Sequence, residues 1–319
     1  MQLIAVMATM KAVRMHAFGG PEVLEYEDVE TPRIGPRDVL LRIEAVAVNP
    51  ADWKFRSGRL GISSLPPLPR TPGFDVSGVI EVTGTDVRGF DAGDEVYGRI
   101  SGGGYAQYAT VPANDLVRKP PSVDHIHAAS AITPGLTAWQ ALDTLGLLPG
   151  DTVLIHGAGG AVGSVAVQLA TLRGIRVVAT ASAHDGAYVR ELGALRVIDY
   201  RNERFEEIVH SVDGVLDVVG GETQARSWSV LRPGGVLVST VGPARPPVKQ
   251  DVRGLSIVMH PNRDQVEEIG HMLEDGSLII RIAEVLPLEE ARRAHEDAER
   301  HLVHGKIILE PTRRLDVPH

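Results

Sequence analysis

His156-Gly157-Ala158-Gly159-Gly160-Ala161-Val162-Gly163 directly follows the apolar run Thr152-Val153-Leu154-Ile155 and opens a segment of helical period, Ala161 to Leu172. A buried strand, a glycine-rich turn and a helix in that order form a dinucleotide fingerprint. Small residues let the main chain approach a pyrophosphate, and the helix start offers unpaired N–H groups and the positive end of its dipole. Gly163 lets the helix lie close to the strand. The spacing Gly157-x-x-Gly160-x-x-Gly163 is a variant of the usual pattern, and a plain tight turn would also use glycines. The context on both sides of the turn favours nucleotide binding.

Further apolar runs occur at Ile175 to Ala179, Arg196 to Ile198, Val215 to Val219 and Val236 to Ser239. Between them lie helical patterns at Asp185 to Leu192, Glu203 to Val209 and Thr223 to Leu231, and one precedes them at Ala128 to Leu145. Apolar strands alternating with helices predict a doubly wound parallel α/β sheet. Residues 10–120 differ. Val39 to Val46, Val76 to Val82, Glu95 to Tyr97 and Tyr105 to Val111 read as short strands between Gly and Pro, a β-barrel texture. Leu65-Pro66-Pro67-Leu68-Pro69-Arg70-Thr71-Pro72 reads as a surface loop. Beyond about Gly254 come an apolar run, helices near Asp264 to Glu274 and Leu288 to His301, and a strand at Lys306 to Leu309. The expected domains are an extension (residues 1–9), a barrel (10–125), a nucleotide-binding domain (126–260) and a C-terminal return (261–319).

The 319 residues contain no cysteine, which removes thiolate catalysis, disulfides, iron–sulfur clusters and cysteine-ligated zinc. That usage fits a cytoplasmic location. A net charge of -9 without a long basic run argues against nucleic acid or an anionic membrane as partner. No stretch reaches the roughly 18 apolar residues of a membrane span. Residues 1–10 lack the positive start and cleavage site of a signal peptide.

The second strand, Val177-Val178-Ala179-Thr180-Ala181-Ser182, ends without the acid that usually binds an NAD ribose. NADPH is therefore the expected cofactor. The Thr180 and Ser182 hydroxyls are candidate donors to its 2′-phosphate, with His184, Tyr200 and Arg201 nearby. No lysine follows Ser182, and His184 has the alternative of a solvated helix start.

Several motifs in series resemble the zinc-independent quinone oxidoreductase (zeta-crystallin-like) branch of the medium-chain dehydrogenases/reductases. They are Asn49-Pro50-Ala51-Asp52-Trp53-Lys54-Phe55-Arg56-Ser57-Gly58, Pro72-Gly73-Phe74-Asp75-Val76-Ser77-Gly78, Gly103-Gly104-Tyr105-Ala106-Gln107-Tyr108 and Gly135-Leu136-Thr137-Ala138. The glycine cluster, Leu192-Gly193-Ala194, Ile198-Asp199-Tyr200 and Gly305-Lys306-Ile307 complete the series. The resemblance implies a GroES-like barrel, completed by the C-terminal tail, with a Rossmann domain inserted. It also implies a cofactor cleft between domains, with Thr137 and Val241-Gly242 near the nicotinamide and Lys306 near the phosphates. A homodimer through an edge strand at Leu255 to Met259 is implied as well. Zinc relatives carry Cys and Gly-His-Glu where this chain has no Cys and reads Gly73-Phe74-Asp75. His125 and His127 read as an exposed pair before a helix, not a metal site.

Without a metal, hydride addition to a conjugated acceptor is easier than alcohol oxidation, because charge spreads to a remote oxygen. The expected reaction is hydride transfer from NADPH to a quinone or an α,β-unsaturated carbonyl. Candidate catalytic residues are Asn49, Lys54 and Tyr105. Their alternatives are a turn cap before Pro50, a surface lysine and a packed strand residue. Asp52 and Arg56 pair or hold the loop, and Asn262 caps a helix. The loop Pro243-Ala244-Arg245-Pro246-Pro247 borders the substrate. Rival readings are a biosynthetic enoyl reductase of a polyketide-like pathway and a nucleotide-binding protein without turnover. The resemblance also admits a lens structural protein or an RNA-binding protein, and the acidic balance without basic stretches argues against RNA.

Overall fold

The computed structural model describes residues 9–59, 67–247 and 251–311. Residues 1–8 of the expected extension, and Leu65-Pro66 of the proline-rich stretch, lie outside them. The chain divides into two compact units. The first comprises residues 1–132, 266–274 and 281–319, the second residues 133–265 and 275–280.

In the first unit, β1 (Thr9–Met15) and β2 (Leu24–Glu30) form an antiparallel ribbon. β3 (Asp38–Ala47) follows. α1 (Pro50–Arg56) comes next, and then β4 (Asp75–Thr83), β5 (Glu95–Arg99), β6 (Tyr108–Pro112) and β7 (Leu116–Arg118). α2 (His125–Leu145) carries the chain across the boundary into the second unit.

There β8 (Thr152–Ile155), α3 (Ala161–Leu172), β9 (Arg176–Ala181), α4 (Gly186–Glu191) and β10 (Arg196–Asp199) are followed by α5 (Phe205–Ile208), β11 (Val212–Asp217), α6 (Gly221–Ser227), β12 (Leu231–Ser239) and β13 (Arg253–Ser256). α7 (Arg263–Glu274), β14 (Ile282–Pro287), α8 (Ala291–Glu299) and β15 (Lys306–Glu310) close the chain.

The main sheet of the first unit runs β14-β15-β3-β4-β5-β7, with β6 also paired to β3. The tail therefore completes the N-terminal barrel: Ile308 pairs with Ala47. Leu41, Ile43, Val76, Ile80 and Leu309 fill its core, each at most 1% exposed. Burying such a side chain contributes about 1.5–3 kcal/mol relative to leaving it exposed.

The sheet of the second unit runs β10-β9-β8-β11-β12-β13, all parallel. Counted within the unit, the order is three-two-one-four-five-six, the Rossmann order. The direction of winding reverses between β8 and β11, where such sheets bind ligands at the carboxyl ends of their strands. Leu154, Val215 and Leu237 from the three central strands pack in one cluster with Phe205 and Trp228. Among the described residues no helix is long and apolar enough to cross a membrane.

Several elements differ from the sequence expectation. The strand expected from Tyr105 begins at Tyr108, because Tyr105 N instead bonds Pro72 O in the Gly102–Gly104 turn. The helix expected at Glu203 to Val209 is one turn. The edge strand expected at Leu255 to Met259 is Arg253–Ser256, and Val258 beyond it is 92% exposed. Residues 50–56, read as a loop, form α1. Pro50 occupies the first helical position, and the Asp52 carboxylate accepts from Asn49 N at 2.8 Å. β14 escapes a pattern search because it ends in Pro287, tolerated at this sheet edge.

Candidate dinucleotide site and the polar cluster of the first unit

In the second unit, β8 ends at Ile155 and the chain turns through Gly157, whose φ is +66°. Gly160 N donates to Gly157 O, and Gly160 caps α3 in extended conformation. The first turn of α3 leaves N–H groups of Ala161, Val162 and Gly163 without partners inside the helix. A Cβ at Gly163 would lie 2.8 Å from Ala158 Cα and closer still to the Gly157 carbonyl oxygen. Only glycine lets α3 seat against the turn. The arrangement gives a phosphate bare main chain and a helix N-terminus.

β11, the neighbour of β8, ends at Asp217, which sequence reading missed. This carboxylate is fully buried. It accepts from Val219 N, Gly220 N and the Gln224 side chain at 2.8–3.0 Å, fixing the turn through Gly220 at φ +82°. Val218 and Val219 of that turn limit the space at Gly157 to a hydrogen atom. The signal was an Asp closing an apolar strand before Gly-Gly.

His156, also fully buried, explains the state of Thr180. Ser227 Oγ donates to Thr223 O at 2.6 Å, so at 2.9 Å it accepts from His156 Nε2–H. Nδ1 is then an acceptor, and the Thr180 hydroxyl donates to it at 3.0 Å. The same hydroxyl accepts from Gly157 N at 3.4 Å, while Thr180 O accepts from Ala158 N. His156 thus ties the second strand to the glycine turn, and Thr180 has no proton left for a phosphate. That corrects the expectation for Thr180.

Burial pulls the His156 pKa down to about 4, so it stays neutral. Between about pH 4 and 6.5 the unfolded chain takes up a proton that the folded chain does not. Stability therefore falls with falling pH in that window. We expect His156→Gln to remove on the order of 2–3 kcal/mol from this acid-side loss, read as a flatter dependence of unfolding midpoint on pH. An unchanged slope would contradict the buried neutral ring.

Ser182 is corrected likewise. Its hydroxyl donates to Asp185 Oδ2 at 2.9 Å and accepts from Asp185 N at 3.3 Å. The premise of a strand end without an acid fails with it, because Asp185 folds back onto the glycine turn. A Cβ at Gly159 would lie 2.7 Å from Asp185 Oδ2. His184 is exposed, with Nδ1 3.3 Å from Asp185 Oδ1. Tyr200 is 55% exposed at the end of β10, and the Arg201 guanidinium lies 5.8 Å from its ring centroid. Val241 is exposed, with its N–H donating to Ser239 Oγ, and Gly242 O accepts from Ser256. The Thr137 hydroxyl donates to Thr133 O within α2. Asn262 Oδ1 accepts from Gln265 N, a helix cap for α7.

In the first unit, Asn49 is 1% exposed and both donors of its amide are committed. Nδ2 donates to Ala47 O and Asp75 Oδ2, and Oδ1 accepts from Lys306 Nζ at 2.6 Å. Lys306 Nζ also donates to Val48 O, and burial pulls its pKa down to about 8. Burial pushes Asp52 up to about 7, against its backbone bond from Asn49. Asp52 Oδ1 accepts from Gly73 N, and Arg99 pairs with Asp75 at 2.8 Å. This cluster corrects two expectations: Asn49 has no donor left for a substrate, and Lys306 serves Asn49 rather than phosphates.

Tyr105 is a third correction. It is fully buried, and its hydroxyl lies 2.9 Å from His295 Nε2. His295 Nδ1 accepts from Arg56 at 3.1 Å, and Arg56 pairs with Glu299 at 2.7 Å. Tyr105 thus anchors α8 and does not line a pocket. Lys54 projects from α1 as an exposed side chain. His125 Nδ1 meets Ser77 and His127 meets Asp124, so the two rings do not converge.

A zinc ion does not fit the place where zinc relatives carry their ligands. Cysteine is absent, Phe74 offers no donor, and the Asp75 carboxylate is held by Arg99 and Asn49. The Lys306 ammonium in the same cluster would repel a divalent cation.

Comparison with known proteins places these features in context. A family model of the alcohol dehydrogenase GroES-like domain matches residues 35–121, and one of a zinc-binding dehydrogenase matches residues 192–309. The quinone oxidoreductase of Sus scrofa is 33% identical over 94% of this chain and 97% of its own. The chloroplastic NADPH-dependent alkenal/one oxidoreductase of Arabidopsis thaliana is 31% identical over 95% of this chain and 80% of its own. Among solved structures, the quinone oxidoreductase from Coxiella burnetii superposes with a TM-score of 0.87 at 32% identity, covering 95% of this chain and 99% of that one. An NAD-dependent alcohol dehydrogenase superposes at 0.86 and 31% identity, covering 94% and 99%.

Proposed function

The chain belongs to the quinone oxidoreductase family of the medium-chain dehydrogenases/reductases, and on that premise we propose that it reduces quinones or α,β-unsaturated carbonyls without zinc, using a reduced nicotinamide dinucleotide. The observation that carries the reading is the glycine turn at the β8–β11 reversal, packed so tightly that Gly163 admits no side chain. When bound, the dinucleotide supplies the hydride. The main chain of 157–163 holds its pyrophosphate. His156 and Asp217 fix the two turns on either side. The second unit is the dinucleotide domain, and the first is the substrate domain.

The acceptor class follows from the polar cluster. With Asn49, Asp75 and Lys306 bound to one another, nothing there polarises an isolated carbonyl. A conjugated acceptor needs less, because its developing charge spreads to a remote oxygen. Lys54 is the remaining candidate to hydrogen-bond that oxygen. The names of the quinone oxidoreductases and of the Arabidopsis alkenal/one reductase support the substrate class. Those of the same Arabidopsis reductase and the NAD-dependent alcohol dehydrogenase point to different dinucleotides. The sequence expectation of NADPH thus keeps the first as support, and the choice turns on the end of the second strand. We further propose a homodimer through the edge strand β13.

The test follows loss of nicotinamide absorbance against quinones, enones and saturated aldehydes, with and without a chelator. Turnover of a quinone or enone, insensitive to chelation, is expected. Turnover confined to saturated substrates, or lost on chelation, would refute the reading. Lys54→Met is expected to lower kcat/KM by about tenfold or more without changing dinucleotide affinity; unchanged kinetics would return Lys54 to the surface.

A further inference from the structure

The expected phosphate donors at the end of the second strand are both engaged, and a carboxylate stands in their place. β9 ends at Ala181, and Ser182 starts a single 3-10 turn, Ala183–Asp185. That turn displaces the acid from the strand end itself and swings it back over the glycine loop. Asp185 is 5% exposed, and its Oδ2 and Cγ stand 2.7 and 2.8 Å from where a Cβ of Gly159 would be. The Ser182 hydroxyl holds the carboxylate at 2.9 Å and is itself only 6% exposed. The charge is therefore built into the fingerprint and is not a mobile surface group.

The end of the second strand, beside the glycine loop, is where a dinucleotide presents its adenosine ribose. A 2′-hydroxyl there donates to a carboxylate, whereas a 2′-phosphate meets a like charge in a partly dry site. His184 leans on Asp185 itself, and Arg204 is paired with Glu206 and Glu207. The Arg201 guanidinium lies over the Tyr200 ring, 5.8 Å from its centroid. No lysine occurs from Ser182 to Glu203.

We propose that Asp185 makes this enzyme select NADH over NADPH, by receiving the ribose hydroxyl and repelling the phosphate that replaces it. The proposal rests on the reading that the glycine turn binds a dinucleotide.

The experiment titrates the full-length protein with NADH and NADPH at one ionic strength, before and after Asp185→Asn. The amide keeps the size of the side chain and a partner for Ser182. The wild type is expected to bind NADH about tenfold or more tighter. The variant should gain about tenfold in NADPH affinity and lose several-fold toward NADH, because a neutral amide accepts the ribose hydroxyl less strongly than the carboxylate does. Equal or tighter NADPH binding by the wild type, or an unchanged ratio in the variant, overturns the role of Asp185. Should the variant fail to fold, ADP-ribose competes against its 2′-phosphate on the wild type. Tighter binding of ADP-ribose is then the expected result, and tighter binding of the phosphate overturns the role of Asp185. Binding of none of these compounds would instead overturn the dinucleotide reading itself, and this proposal with it.

Discussion

Gly163→Ala is expected to weaken dinucleotide binding by about 100-fold or more while leaving the first unit folded. A single methyl group there meets Ala158 Cα at 2.8 Å and the Gly157 carbonyl closer still. Both are main chain, so no side chain can swing aside. α3 must lift from the turn, although eight of its twelve residues are buried. Overpacking of this kind costs about 1–3 kcal/mol of stability. The larger loss is in binding, because the helix start and the glycine turn no longer present their N–H groups to one phosphate. Titration with the reduced dinucleotide, alongside a thermal melt, checks it. Wild-type affinity in a folded variant would show that the close contact is not what shapes the site.

Asn49→Ala is expected to cost about 3 kcal/mol of stability and to leave dinucleotide affinity unchanged. The amide stands between a buried ammonium and a buried carboxylate, bonding Lys306 at 2.6 Å and Asp75 at 2.9 Å. Without it, both charged groups lose a hydrogen bond in a region that water does not reach. Denaturant unfolding with a parallel titration separates the outcomes. Loss of turnover at unchanged stability would show that the amide acts on substrate and that its hydrogen bonds within the first unit are incidental.

The two expectations depend on different kinds of information. The seat of Gly163 is readable from the chain alone, because a strand, three glycines and a helix follow one another within about 20 residues and each step is local. The Rossmann order follows from the same alternation of apolar runs and helices. The commitments of Asn49, Tyr105 and Thr180 are not local. Asn49 meets Lys306 across 257 positions and Tyr105 meets His295 across 190. The direction of the Thr180 hydroxyl depends on a proton chain through His156 and Ser227 to Thr223. In the sequence each is a polar residue beside a motif, open to a catalytic role. The fold commits their hydrogen bonds elsewhere.

Asp185 shows a subtler limit. A search for an acid at the end of the second strand looks at Ser182 and finds none. One 3-10 turn, capped by that same serine, delivers the carboxylate from three residues downstream. The helix α1 carried its own signals, an Asn-Pro start with Asp at the third helical position, and a capping search would have found it. Strand β14, short and ended by proline at a sheet edge, carries no comparable pattern.

The chemistry proposed for this chain requires that the bare main chain of 157–163 hold the pyrophosphate of a hydride donor. A crystal of the full-length protein soaked in reduced dinucleotide shows whether it does. The pyrophosphate is expected against the N–H groups at the start of α3, with the adenosine ribose beside Asp185. A turn left empty, with the dinucleotide bound elsewhere or not at all, would contradict it.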